Sequence, residues 1–195
     1  MKKIAMMFLL LAAVPSYADT DRSGFGIHGG LNFNDFDVTS NTVTNAKNNT
    51  TGWLAGIHFE GEGPLTLRLE VNYSVRGYEY ANLVNVKYNY LEIPLLVKFS
   101  PIPGPIKVFV EGGGSASLKL STTVDTLGSS VTYDTNSSTW DFGLLAGAGL
   151  GVMVGPNTLL SVEGRYLYGL TNVSDDATVT IHTRGIQALA SLTFF

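Results

Sequence analysis

Apolar and polar residues alternate along most of this chain with a period of two. From Leu65 to Arg76 the odd positions are Leu65, Leu67, Leu69, Val71, Tyr73 and Val75. The even positions between them are Thr66, Arg68, Glu70, Asn72, Ser74 and Arg76. A helix would scatter these charges around its surface, whereas a strand puts them all on one face. Seven other segments follow the same rule less purely, near 24–34, 52–61, 87–99, 106–119, 140–154, 159–170 and 182–194. The pattern therefore predicts eight strands. Many exceed the roughly five or six residues of a globular strand and suit the roughly 9–11 residues that a tilted strand needs to cross a bilayer.

The connections alternate in length. Those at 60–64, 100–105 and 155–158 are short and rich in Gly and Pro, as tight turns are. Those at 35–51, 77–86, 120–139 and 171–181 are longer and polar. This rhythm predicts an eight-stranded antiparallel up-and-down transmembrane β-barrel, with short periplasmic turns and four long outer loops. An even strand count puts both termini on the short-turn side.

Charge placement agrees. Arg68, Glu70 and Arg76 share one parity on the third segment, and Glu92 and Lys98 oppose Ile93, Leu95, Val97 and Phe99 on the fourth. Lys107, Glu111 and Lys119 oppose Ile106, Val108 and Val110 on the fifth, and Glu163 and Arg165 oppose Val162, Tyr166 and Tyr168 on the seventh. Lys87 and Arg184 fall on the apolar parity, but both lie beside a predicted outer loop. A cation there costs about 0–1 kcal/mol, against about 2–4 at the bilayer midplane.

The apolar face is rich in aromatics: Phe25, Trp53, Phe59, Tyr73, Tyr88, Phe99, Trp140, Phe142, Tyr166, Tyr168 and Phe194. Many fall near strand ends, where interfacial girdles sit. The other face carries small residues beside the charges: Gly26, Gly30, Gly56, Gly113, Gly143, Gly147, Gly149 and Gly151. The competing reading, a soluble sandwich or lipocalin-like barrel, would turn its apolar face inward and need more charge outside. Only 14% of the residues are charged and 45% are apolar, where a soluble domain carries about 25% charge. A bilayer leaves no water for open sheet edges, so the sheet must close.

Composition removes other classes. The chain has no cysteine, which excludes disulfides and cysteine-ligated metal. The net charge of -4 argues against a nucleic-acid partner. Residues 1–18 read as a secretory signal peptide: Met1-Lys2-Lys3, an apolar run from Ile4 to Val14, then Pro15-Ser16-Tyr17-Ala18. That leaves 19–195 as one barrel domain, more acidic by the two lost lysines.

Four stretches carry a family resemblance. Tyr90-Leu91-Glu92-Ile93-Pro94-Leu95-Leu96-Val97-Lys98-Phe99, Asp141-Phe142-Gly143-Leu144-Leu145-Ala146-Gly147-Ala148-Gly149, Arg165-Tyr166-Leu167-Tyr168-Gly169-Leu170-Thr171-Asn172 and the closing 186–194 strand together resemble the porin-family, PorT-like outer-membrane β-barrel proteins. The resemblance implies an eight-stranded barrel in the outer membrane of a diderm bacterium. It also implies a closing aromatic that faces lipid and is read by the barrel-assembly machinery. Phe194 has the parity of Ile186, Ala188, Ala190 and Leu192, and Phe195 lies one residue beyond, so either phenylalanine can carry that signal. The family is functionally mixed and implies little about activity. Pro94 removes a ladder donor inside a strand, and a local bulge is its expected accommodation.

The inward charges are the densest chemistry: Glu60, Arg68, Glu70, Glu92, Lys98, Lys107, Glu111, Asp141, Glu163 and Arg165. An eight-stranded barrel is just wide enough for side chains to fill, and buried charges must pair. The mixed signs suit a salt-bridged plug with a structural role, where a selective pore would favour one sign. A lipid-active hydrolase needs a histidine, a nucleophilic serine and an acid. His28 and His58 point inward and His182 sits at the rim, none with a serine at an informative spacing. The loop residues Asp35, Asp37, Asp125, Asp134, Asp175 and Asp176 have no calcium-loop spacing. No catalytic site, metal or cofactor is expected.

The expectation is an occluded outer-membrane barrel with a structural or surface-interaction role through its loops. A narrow channel for small polar solutes is the alternative, and a lipid-active barrel hydrolase a weaker one. Expected partners are outer-membrane lipid and lipopolysaccharide, the assembly machinery, and a loop partner whose identity the residues do not give.

Overall fold

Among the described residues, alternating sequence folds into nine antiparallel strands: β1 (Ser23–Thr39), β2 (Asn48–Gly61), β3 (Leu65–Tyr80), β4 (Val84–Phe99), β5 (Ile106–Thr126), β6 (Ser129–Asp134), β7 (Trp140–Met153), β8 (Thr158–Gly169) and β9 (Thr180–Phe194). The computed structural model describes residues 22–39, 48–80, 84–126, 129–134, 140–171 and 180–195. The expected signal segment, Asp175 and Asp176 lie outside those residues.

Eight strands make the wall. Each pairs with its sequence neighbours, β1 pairs with β9, and β4 pairs with β5, so the sheet closes on itself. Phe194 sits beside both Phe25 and Thr158, which puts the start of β1 and the end of β9 at the edge bearing the short turns. Gly104 and Gly155 adopt φ of 126° and 89° in two of those turns, a region that side chains disfavour.

The ninth strand corrects one expectation. Segment 120–139 is not all loop: β6 pairs with the outer end of β5, from Ser121↔Asp134 to Thr126↔Ser129. The predicted outer loops at 35–51 and 77–86 also shorten, because β1 runs to Thr39, β2 starts at Asn48, β3 ends at Tyr80 and β4 starts at Val84. A ladder is held by backbone hydrogen bonds, so it continues here while the apolar alternation that marks a half-buried strand fades. Asp35 and Asp37 thus lie in β1, opposite Arg184 and His182 of β9, and Asp125 and Asp134 lie in the β5–β6 hairpin.

The barrel is inside-out by soluble standards. Leu160, Val162 and Ile186 are about half exposed on the outer face, while Arg68, Glu70 and Glu92 are fully enclosed. Ten of the aromatics assigned to the apolar face are exposed, Phe194 among them. Tyr88 is the exception. On β4 the even positions point inward, and Tyr88 is half-buried with its ring 6.4 Å from that of buried Tyr90.

Pro94 causes no bulge. The β3–β4 register runs unchanged from Leu69↔Leu95 to Asn72↔Glu92, but Glu70 and Val71 have no ladder partner opposite Pro94 and Ile93. Pro94 remains opposite Ser115 of β5. A missing donor opens the ladder locally without an added residue, because the paired residues on either side hold the register. The register shifts fall elsewhere, at Asn89/Tyr90 against β5 and between Asn49 and Leu54 on β2.

Candidate functional site

Strand parity delivers nine of the ten expected charges to a buried lumen: Glu60, Arg68, Glu70, Glu92, Lys98, Glu111, Asp141, Glu163 and Arg165. Lys107 departs from the expectation. It is half-buried at the periplasmic mouth and forms no ion pair among the described residues. There it lines a cavity of about 30 Å³ with Glu60, Lys98 and Phe195.

Arg165 is the hub. Its Nε donates to Glu111 Oε1 at 2.5 Å, and Nη1 and Nη2 donate to Glu70 Oε2 and Oε1 at 2.9 and 2.6 Å. Nη2 also donates to Glu163 Oε1 at 2.7 Å. The fork on Glu70 is the planar, bidentate geometry that favours arginine over lysine. Arg68 continues the network, with Nη1 donating to Glu163 Oε2 at 3.0 Å. Its Nε lies 2.8 Å from Glu70 Oε1, but the N–H is not aligned for a hydrogen bond.

Two smaller clusters flank this centre. Toward the periplasm, Lys98 donates to Glu60 Oε2 at 2.9 Å and stands 4.1 Å from the centroid of the Phe109 ring. Toward the outside, Arg76 donates to Glu92 Oε2 at 2.6 Å and lies 4.9 Å from the Tyr90 ring centroid. Asp141 Oδ2 is 3.8 Å from Arg76, and the Thr171 and Thr183 hydroxyls donate to the Asp141 carboxylate.

The glycines explain how these long side chains fit. In register, Gly147 of β7 lies between Glu111 of β5 and Arg165 of β8. A Cβ on Gly147 would come within 2.8 Å of Arg165 Cγ. Gly149 likewise separates Phe109 from Glu163.

The two inward histidines join the network. His28 Nδ1 lies 3.0 Å from His58 Nδ1, His28 Nε2 lies 2.7 Å from Asn72 Oδ1, and His58 Nε2 lies 2.8 Å from Thr193 Oγ1. Sequence reading placed both rings inside but missed Asn72, Thr193 and Tyr90 as their companions in the network. All three share the inward parity, so the signal was present, without the charge that draws notice. Among the described residues no group of three His, Asp or Glu side chains is close enough to hold a metal ion.

An outer face of apolar and aromatic residues around a charged, glycine-lined interior has a counterpart among known proteins. The family described as outer membrane protein beta-barrel domain matches residues 17–175. The chain belongs to that family. As an outer-membrane β-barrel protein, it is also similar in structure to neisserial surface protein A, at 19% identity and a TM-score of 0.51, covering 86% of this chain and 95% of that one. It is similar to the outer membrane protein OprG from Pseudomonas aeruginosa at 14% identity and a TM-score of 0.50, covering 90% and 97% of the two chains. At such identities the likeness speaks for the fold alone. No curated protein matches the chain. Family and architecture together place this protein in the bacterial outer membrane.

Proposed function

We propose that this protein is an occluded barrel with a structural or surface-interaction role, and that its outer loops form the contact surface. One observation carries the reading. β3 and β8 stand on opposite walls, four strands apart in either direction around the ring, yet Glu70 of β3 and Arg165 of β8 meet at 2.6 Å. Arg68 and Glu163 make a second contact between the same two walls at 3.0 Å. Ion pairs that span the full diameter fill the lumen at its middle. Their mixed signs favour mutual pairing over the passage of one class of ion.

The PorT-like placement within the family is the finer assignment we favour, on the sequence stretches at 90–99, 141–149, 165–172 and 186–194. A secretory signal at 1–18, recognition of Phe194 by the assembly machinery, and lipopolysaccharide as the surrounding lipid belong to the same proposal. His28 and His58 face each other inside the packed lumen, away from lipid, which speaks against lipid hydrolysis.

Planar-bilayer recording on purified, folded protein tests the occluded reading. The expected result is no stepwise conductance from protein that shows the shifted gel mobility of a folded barrel. Reproducible single-channel openings would favour the narrow channel instead.

A further inference from the structure

The histidine pair carries an inference beyond the plug. Asn72 Nδ2 donates to Glu70 Oε2 at 3.0 Å, which fixes the amide so that Oδ1 faces His28 Nε2. An amide oxygen only accepts, so His28 Nε2 carries a hydrogen. Thr193 donates its single hydroxyl hydrogen to Glu60 Oε1 at 3.1 Å. Its oxygen therefore accepts from His58 Nε2, and that nitrogen also carries a hydrogen. Turning either ring over would set carbon atoms against these partners. Two neutral imidazoles hold one N–H each. With both hydrogens on Nε2, the Nδ1 atoms would meet lone pair to lone pair at 3.0 Å.

We propose that His28 and His58 bind one proton beyond their neutral complement, shared between the two Nδ1 atoms. The lumen then contains a proton-binding site that ties β1 to β2. The third hydrogen turns a repulsive contact into a hydrogen bond and leaves Asn72, Thr193 and Glu60 satisfied as they stand.

Surrounding charge supports the assignment. Facing the pair and its connected network are Glu60 from β2, Arg68 and Glu70 from β3, Lys98 from β4, Glu111 from β5, and Glu163 and Arg165 from β8. From β9 the Thr193 hydroxyl meets His58. Glu70 Oε2 lies 3.6 Å from His28 Nε2, and the Thr193 hydroxyl links His58 to Glu60, so a carboxylate stands close to each ring and favours the shared proton. A second proton would set two imidazolium rings in contact at 3.0 Å, so the site takes one and rejects the next.

Nitrogen-15 spectroscopy of labelled histidine rings reads the hydrogens directly. The probe is the full barrel in a phospholipid nanodisc near neutral pH, with His182→Asn removing the third histidine. The expected spectrum shows both Nε2 atoms protonated and the Nδ1 signals intermediate between protonated and bare. A bare Nε2 would show that the pair holds only two hydrogens, and two fully protonated rings would show four; either overturns the proposal. Glu111→Gln then tests the charge argument. With one carboxylate neutralised, the shared hydrogen should bind about tenfold more weakly, so that it titrates off about one pH unit lower. An unchanged titration would overturn the charge argument. The single-variant spectrum remains decisive if Glu111→Gln does not fold.

Discussion

Arg165→Met removes the hub of the lumen while keeping most of its volume. In the folded barrel Arg165 donates four hydrogen bonds to three carboxylates. Glu70 and Glu163 retain Arg68 after the change. Glu111 does not: its single ion pair is with Arg165, and its Oε2 is already buried without a hydrogen-bond partner. Removing one partner of a buried ion pair costs about 3–5 kcal/mol, because the charge left behind is neither hydrated nor paired. Neutralising that charge as well, in Arg165→Met/Glu111→Gln, should recover about 0.5–3 kcal/mol, the usual coupling between groups in direct contact. Urea titration of barrels folded into phospholipid vesicles measures both values, with gel mobility as one probe and the fluorescence of Trp53 and Trp140 as a second. Both tryptophans are exposed on the outer face and report entry into lipid. A loss below about 1 kcal/mol in the single variant, a range typical of exposed pairs, would refute the claim that Arg165 holds the lumen together. So would a double variant no more stable than the single one.

Other substitutions test separate parts of the structure. Gly26→Ala places a Cβ against the His58 ring and the Leu192 carbonyl, so it should cost about 1–3 kcal/mol in the same titration. Gly164→Ala meets nothing within 4 Å and should gain about 0.4–1 kcal/mol by restricting the unfolded chain. Pro94→Ala supplies the donor missing opposite Glu70. It should add a slowly exchanging amide at position 94, donating to the Glu70 carbonyl, and leave the register intact; a shifted β3–β4 register would contradict the account of the gap. Phe194→Ala removes an exposed aromatic at the closing strand and should lower the yield of heat-modifiable barrel in cells more than Phe195→Ala does.

How much could be read from the residues depends on what surrounds each face. Between Leu65 and Arg76 one face meets acyl chains and the other a narrow interior, so every position is either apolar or polar and the strand is unmistakable. At Asp35, Asp37 and the β5–β6 hairpin the same ladder runs on past the stretch where one face is set against lipid. Alternation then carries no energy, and those residues read as loop although they are strand. Tyr88 misled for a related reason. An aromatic ring suits the membrane interface, but the inward parity of β4 turns it toward Tyr90, and parity outranks residue type.

The lumen divides the same way. That Arg68, Glu70, Glu163 and Arg165 point inward follows from counting by twos along a single strand. Which carboxylate meets which guanidinium depends on the stagger between strands far apart in sequence, and no periodicity encodes it. Glu70 and Arg165 are 95 residues apart and face each other only because the ring closes at β1–β9 and β4–β5 with the registers observed. Gly147 shows how local choices still anticipate that geometry. It sits level with Glu111 on one side and Arg165 on the other, and the missing side chain gives the guanidinium room to reach across. A glycine weakens a strand, so the small residues of β7 are best understood as the counterpart of the long ones around them. The interior is packed by pairing absent side chains with charged ones, and its stability rests on keeping both members of each pair.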